Sequence, residues 1–98
     1  MFRYLFLGFV RIHILYHAAE EPIFGTGIMA ELASHGYRLS PGTLYPLLHD
    51  LERRGYLSRE NKVVGGRVRK YYRATPAGKA ALEEARVKAA ELTAEIME

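Results

Sequence analysis

Between Phe2 and Ala19 apolar side chains recur every three or four positions on two faces at once. Phe2, Leu5, Phe9, Ile12 and Tyr16 form one stripe, and Phe6, Val10 and Ile14 form another. This spacing predicts a helix that is apolar nearly all round. Such a helix must be covered on two sides, and a chain of 98 residues has little material for the second. A second copy of the chain is the expected cover. Pro22, after Glu20 and Glu21, closes the helix.

A second helix is expected from Gly25 or Thr26 to Ser34 or His35. Ile28 with Leu32, and Met29 with Ala33, form its buried side, Glu31 and Ser34 face water, and Gly36 ends it. The third begins at Ser40-Pro41, serine as N-cap and proline in the first turn. Leu44, Leu47, Leu48 and Leu51 give it a narrow core stripe, opposite Pro46, His49, Asp50 and Arg53. Pro46 is awkward inside a helix, but the carbonyl it confronts belongs to Gly42, which can bend; otherwise regular helix starts only near Thr43.

After Gly55 the period changes to two. Tyr56 to Lys62 and Arg67 to Ala74 read as the arms of a β-hairpin, turned by Gly65-Gly66. An isolated hairpin is marginal in water, so this one must lean on the helices. Thr75-Pro76 repeats the cap-then-proline signal and opens a last helix. Leu82, Ala85, Ala89, Leu92 and Ile96 recur at intervals of three and four along it, the seam of a helix that meets a partner helix.

Charge sharpens this outline. Residues 51–75 hold eight Lys or Arg (Arg53, Arg54, Arg59, Lys62, Arg67, Arg69, Lys70 and Arg73) against Glu52 and Glu60, in a chain of net charge +3. A basic segment in an otherwise mildly acidic chain suits a phosphate-binding surface. The absence of cysteine excludes a disulfide scaffold, a thiol switch and thiolate-held metals. Arg3, Arg11 and His13 interrupt the apolar start, which suits neither a membrane span nor a signal peptide. The chain reads as cytoplasmic, without a membrane partner.

The fold class is therefore mainly α with a small β-hairpin: a winged helix-turn-helix with an N-terminal helix and a C-terminal dimerisation helix. Residues 1–75 form the DNA-binding domain and 76–98 the dimerisation helix. In this architecture the third helix enters a DNA groove and the hairpin follows the phosphates. Three blocks, Ser40-Pro41-Gly42-Thr43-Leu44-Tyr45-Pro46-Leu47-Leu48, Leu51-Glu52-Arg53-Arg54-Gly55-Tyr56-Leu57 and Gly66-Arg67-Val68-Arg69-Lys70-Tyr71-Tyr72-Arg73-Ala74-Thr75-Pro76-Ala77-Gly78, resemble the PadR family of bacterial transcriptional regulators. The resemblance implies a homodimeric repressor on a palindromic operator, of the short subtype, in which one C-terminal helix pairs with the partner's first helix. Some members take small planar effectors, so a small aromatic effector joins double-stranded DNA and a second copy as expected partners. Two departures stand out: Phe24-Gly25-Thr26 replaces a His-Gly-Tyr triplet common in the family, and the absence of tryptophan excludes a ligand sandwich built on it.

The residues expected at DNA are Ser40, Pro41, Gly42, Thr43, Tyr45, Pro46, His49 and Arg53 on the third helix. Lys62, Arg67, Arg69 and Lys70 join them on the wing. Arg73 is expected in a salt bridge, and Tyr71 and Tyr72 in packing. The dimer interface is assigned to Phe2, Leu5, Phe9, Ile12 and Tyr16 with Leu82, Ala85, Ala89, Leu92 and Ile96. His13 and His17 have the i,i+4 spacing that can grip a metal, but Ile14 stands where a catalytic zinc motif has glutamate. They are read as interface residues, and neither metal nor cofactor is expected. His35 carries no assignment. The inventory lacks a cysteine nucleophile, a Gly-x-Ser-x-Gly elbow and a phosphate-binding glycine loop, which argues against an enzyme. The alternative on this fold is a winged-helix dimer that serves as a protein-interaction adaptor without DNA.

Overall fold

The computed structural model describes residues 2–98. The chain runs α1 (Phe2–Glu20), β1 (Ile23–Phe24), α2 (Gly25–Ser34), α3 (Pro41–Arg53), β2 (Leu57–Val64), β3 (Arg67–Ala74) and α4 (Pro76–Ile96). The strands form one antiparallel sheet in the order β1-β3-β2. The mainly helical reading with a small hairpin holds. The sheet nevertheless has a third strand that the sequence pattern did not announce, and the first hairpin arm is Leu57–Val64 rather than Tyr56–Lys62. β1 is only two residues long and pairs Ile23 with Tyr72 and Phe24 with Tyr71. It exists because the free edge of β3 supplies its hydrogen-bond partners.

Of the two stripes on α1, the one containing Val10 and Ile14 is buried. These two meet Leu32 of α2, Leu44 and Leu48 of α3 and Tyr72 of β3, and all six are fully shielded from solvent. Leu15, Ala18, Ile23, Ile28, Leu47, Leu51, Leu57 and Leu82 complete the core. The other stripe stays open, with Phe2 74% and Phe9 44% exposed. α3 continues through Pro46 without a break. The carbonyl this costs is that of Gly42, in the exposed first turn, where water can serve it. Among the described residues no helix is long and apolar enough to cross a membrane.

The turn between β2 and β3 needs its glycines, since Gly65 and Gly66 both have positive φ (58° and 78°). Two adjacent positive φ values match the right-handed twist of a tight hairpin. At the base of the hairpin Thr75 joins three segments. Its Oγ1 accepts the Gly78 amide at 3.0 Å, which caps α4, and donates to the Gly55 carbonyl. Its amide donates to the Tyr56 carbonyl at 3.0 Å. α4 is thereby pressed so close to this corner that a Cβ on Gly78 would stand 2.1 Å from the Tyr56 carbonyl oxygen.

Tyr72 is buried to its hydroxyl, which has no hydrogen-bond partner among the described residues. Burial pushes its phenol pKa up; the Glu52 carboxylate adds to this and Arg59 opposes it.

Gly78→Ala is therefore expected to lower the unfolding free energy by about 1–3 kcal/mol through overpacking against backbone, read from urea denaturation followed by circular dichroism. Tyr72→Phe should leave stability unchanged or raise it, because the group removed is an unsatisfied buried hydroxyl. A loss above about 1 kcal/mol in Tyr72→Phe would mean that the hydroxyl is hydrogen-bonded in solution.

Candidate nucleic-acid interface

The wing projects from the core. Past Leu57 every residue of β2 is exposed, and β3 is exposed until Tyr71. A strand alternates its side chains, so the burial of Tyr72 puts Arg67, Arg69, Tyr71 and Arg73 together on the opposite face. The register sets Lys62 directly opposite Arg69. Like charges in that position destabilise a sheet, so the pair is maintained at a cost.

Aromatic rings hold these cations in place. The Arg69 guanidinium lies 4.3 Å from the centroid of the Phe24 ring, and Lys62 Nζ lies 5.4 Å from that of Tyr71. Phe24 and Tyr71 meet edge to face at 5.6 Å, and Arg69 Nη1 donates to the Tyr71 hydroxyl at 3.5 Å. Contacts of this kind orient a cation without neutralising it. Among the described residues Lys62, Arg67, Arg69, Lys70 and Arg73 form no ion pair with a carboxylate. The salt bridge expected of Arg73 is therefore not formed; Arg59 instead pairs with Glu52 at 3.6 Å.

A cleft of about 520 Å³ opens between the wing and the helices. Arg67, Arg69 and Lys70 line its wing side; Phe24, Gly25, Thr26 and Tyr45 line the other. Tyr45 is wedged under the start of α2, where a Cβ on Gly25 would meet its hydroxyl at 2.1 Å. Ser40 occupies the N-cap position of α3, but its hydroxyl makes no capping bond. It donates instead to the Thr43 hydroxyl, at 3.4 Å, a long bond that a stronger acceptor can displace. Pro41, Gly42, Pro46, His49 and Arg53 are exposed along α3, and Thr43 is half-buried. Gly25, Thr26 and Phe24 were missed by sequence reasoning. The signal that could have found them was their place in the Phe24-Gly25-Thr26 triplet.

The arginines at the end of α3 are arranged differently. Asp50 accepts from Arg53 Nη2 and from Arg54 Nε at 2.9 Å. Partial burial pushes the Asp50 carboxyl up, but hydrogen bonds and charges from Arg54 and Arg53 outweigh it and hold the pKa below the ordinary 3.8. A depressed carboxylate pKa stabilises the fold above the unfolded value and ceases to as pH falls through the folded one.

The residues assigned to a dimer interface lie on a separate face. Phe2, Leu5, Phe9, Tyr16, Ala89, Leu92 and Ile96 are exposed, and Ile12 and Ala85 half-buried. Leu82 belongs to the core of its own chain. Between α1 and α4 runs a groove of about 760 Å³ lined by Phe9, Ile12, Tyr16, Tyr37, Leu82 and Ala89, among others.

Residues 14–84 match the Transcriptional regulator PadR-like family. Transcriptional regulator Rv3488 of Mycobacterium tuberculosis is 56% identical over 88 residues, covering 90% of this chain and 82% of that protein. The crystal structure of a PadR family transcriptional regulator from Eggerthella lenta superposes with a TM-score of 0.85 at 33% identity, over 98% of this chain and 85% of the other. A PadR-like transcriptional regulator from Bacillus cereus superposes with a TM-score of 0.82 at 28% identity, over 91% and 88%.

In a ¹³C-carboxyl NMR titration Asp50 is expected to titrate below 3.8, and Arg54→Ala should move its midpoint back up. An unchanged midpoint would show that Arg54 does not hold the carboxylate in solution.

Proposed function

This chain belongs to the PadR-like family of transcriptional regulators, and from that premise we propose that it is a cytoplasmic homodimeric repressor of a palindromic operator. The observation that carries the proposal is the set of unneutralised cations on the wing. Among the described residues Lys62, Arg67, Arg69 and Lys70 have no carboxylate partner, and two of them are set against each other across the hairpin. Such an arrangement is relieved when phosphate supplies the missing negative charge.

In this reading α3 enters the major groove with His49 and Arg53 toward the bases. Ser40, Thr43 and Tyr45 donate hydroxyl hydrogen bonds to phosphate, and Pro41, Gly42 and Pro46 keep the surface of the helix low enough to approach. The wing cations lie along the adjoining backbone. The open stripe of α1 meets the outer part of α4 of a second copy, and the reverse, with residues 76–98 as the dimerisation helix. The two recognition helices then reach successive major grooves about 34 Å apart. The aromatic lining of the α1–α4 groove suits a small aromatic effector. Bound there, it would release DNA by favouring a dimer whose helix spacing no longer matches the operator. The family and the residue inventory together argue for regulation without catalysis.

The test is fluorescence anisotropy on a duplex from upstream of the protein's own gene and on a scrambled duplex, at several salt concentrations. Tight, salt-sensitive binding to the first duplex alone is the expected result. Arg67→Ala with Arg69→Ala should weaken binding to both duplexes and reduce the slope of log K against log salt by about 2, roughly one for each lost phosphate contact. No binding to either duplex at low salt would overturn the proposal and favour the adaptor.

A further inference from the structure

We propose that His13, His17 and His35 form a binding site for one divalent transition-metal ion of the zinc class, with Glu31 as the fourth ligand. α1 supplies His13 and His17 one turn apart, and His35 arrives from the C-cap of α2. One candidate ligand nitrogen from each imidazole lies within 4.8 Å of the other two. The rings face one another, His13 and His35 with centroids 4.8 Å apart and inclined by 26°, His13 and His17 at 6.5 Å and 13°. Around a tetrahedral zinc ion with bonds of about 2.0–2.1 Å, ligand atoms stand about 3.4 Å apart. Rotations of the imidazole side chains by about 1 Å at the nitrogens close the set.

Glu31 is already at that spacing. Its Oε1 lies 3.2 Å from His35 Nε2 and 3.5 Å from His17 Nε2. The expectation that Glu31 simply faces water therefore fails: the carboxylate is turned into the histidine cluster. Three imidazoles and one carboxylate suit Zn²⁺, Co²⁺ or Ni²⁺ better than the hard, oxygen-seeking Ca²⁺ and Mg²⁺, and there is no thiolate to favour Cu(I). Metal binding needs neutral imidazole. Burial, and then the neighbouring His35 and His17, lower the pKa of His13, with Glu31 opposing. All four side chains line the groove between α1 and α4, which gives an ion a route from solvent. An ion held there ties the end of α2 to the middle of α1.

The full chain, stripped with EDTA, is titrated with zinc chloride by isothermal calorimetry near neutral pH, and with Co²⁺ by visible absorption. Expected are one ion per chain at micromolar affinity or tighter, the d–d bands of four-coordinate cobalt, and a metal-dependent rise in melting temperature. His35→Gln changes a half-exposed ring outside the core, so it should retain the circular dichroism of the metal-free protein while weakening zinc binding more than about tenfold. His13→Gln and Glu31→Gln should weaken it as well. A dissociation constant above about 100 µM, or wild-type zinc affinity in His35→Gln, would overturn the site. The titration contains no DNA, so its outcome is independent of the regulatory reading.

Discussion

The burial of Tyr72 is the constraint on which the wing depends. Its ring closes a core built from α1, α2 and α3, and that single inward side chain fixes the register of both its strand partners. A slip of one residue would turn Arg73 or Tyr71 inward and move Arg67 and Arg69 to the other face. The apolar core thus decides on which side the positive charge of the hairpin is displayed. β1 follows from the same event, because it pairs only with the part of β3 that Tyr72 anchors. Phe24, the second residue of β1, is in turn the surface on which the Arg69 guanidinium rests.

Charge is partitioned along the chain with the same consistency. Arg53 and Arg54 share Asp50, and Arg59 has Glu52. These three arginines sit where α3 ends and β2 departs, and there they tie the fold together; at the helix end they also complement its dipole. Exposed pairs of this kind contribute little stability, but they fix geometry. Beyond that corner the neutralisation stops. The wing keeps its cations, and two of them, Lys62 and Arg69, rest on aromatic rings in place of carboxylates. A pair such as Lys62 and Arg69 is unfavourable in the isolated chain, and its cost is offset only when an anion arrives. On the wing, binding capacity therefore draws on residues that the core and its ion pairs do not use, which is why the wing can be weakened as a ligand surface without dismantling the core.

α1 shows how little a chain of this size can cover. Its inner stripe is consumed by the core, yet Phe2, Leu5, Phe9 and Tyr16 remain open, as do Leu92 and Ile96 on α4. Burying one large apolar side chain is worth about 1.5–3 kcal/mol. A handful of them is comparable to the whole net stability of a small domain. In the proposed dimer, association and folding would accordingly be of similar size, and the groove between α1 and α4 would lie where the two are coupled.

What was legible in the sequence was whatever local chemistry dictates. Ser40-Pro41 and Thr75-Pro76 marked helix starts, Gly65-Gly66 marked the turn, and the leucines of α3 marked its inner face, each through contacts within a few residues. The caps were legible as positions more than as bonds: Thr75 makes its capping bond, whereas Ser40 does not. The periodicity of α1 revealed two apolar faces but could not rank them, since only packing against Leu32, Leu44 and Tyr72 distinguishes inside from outside. β1 was invisible because two residues carry no period, and its partner lies nearly 50 residues away. His35 was illegible for the same reason. Alone at a helix end it is an unremarkable polar residue, and it acquires meaning only when the α1–α2 turn lays it across His13. Local signals thus recovered the elements and the basic wing, while every feature that depends on two distant segments sharing one surface required the fold.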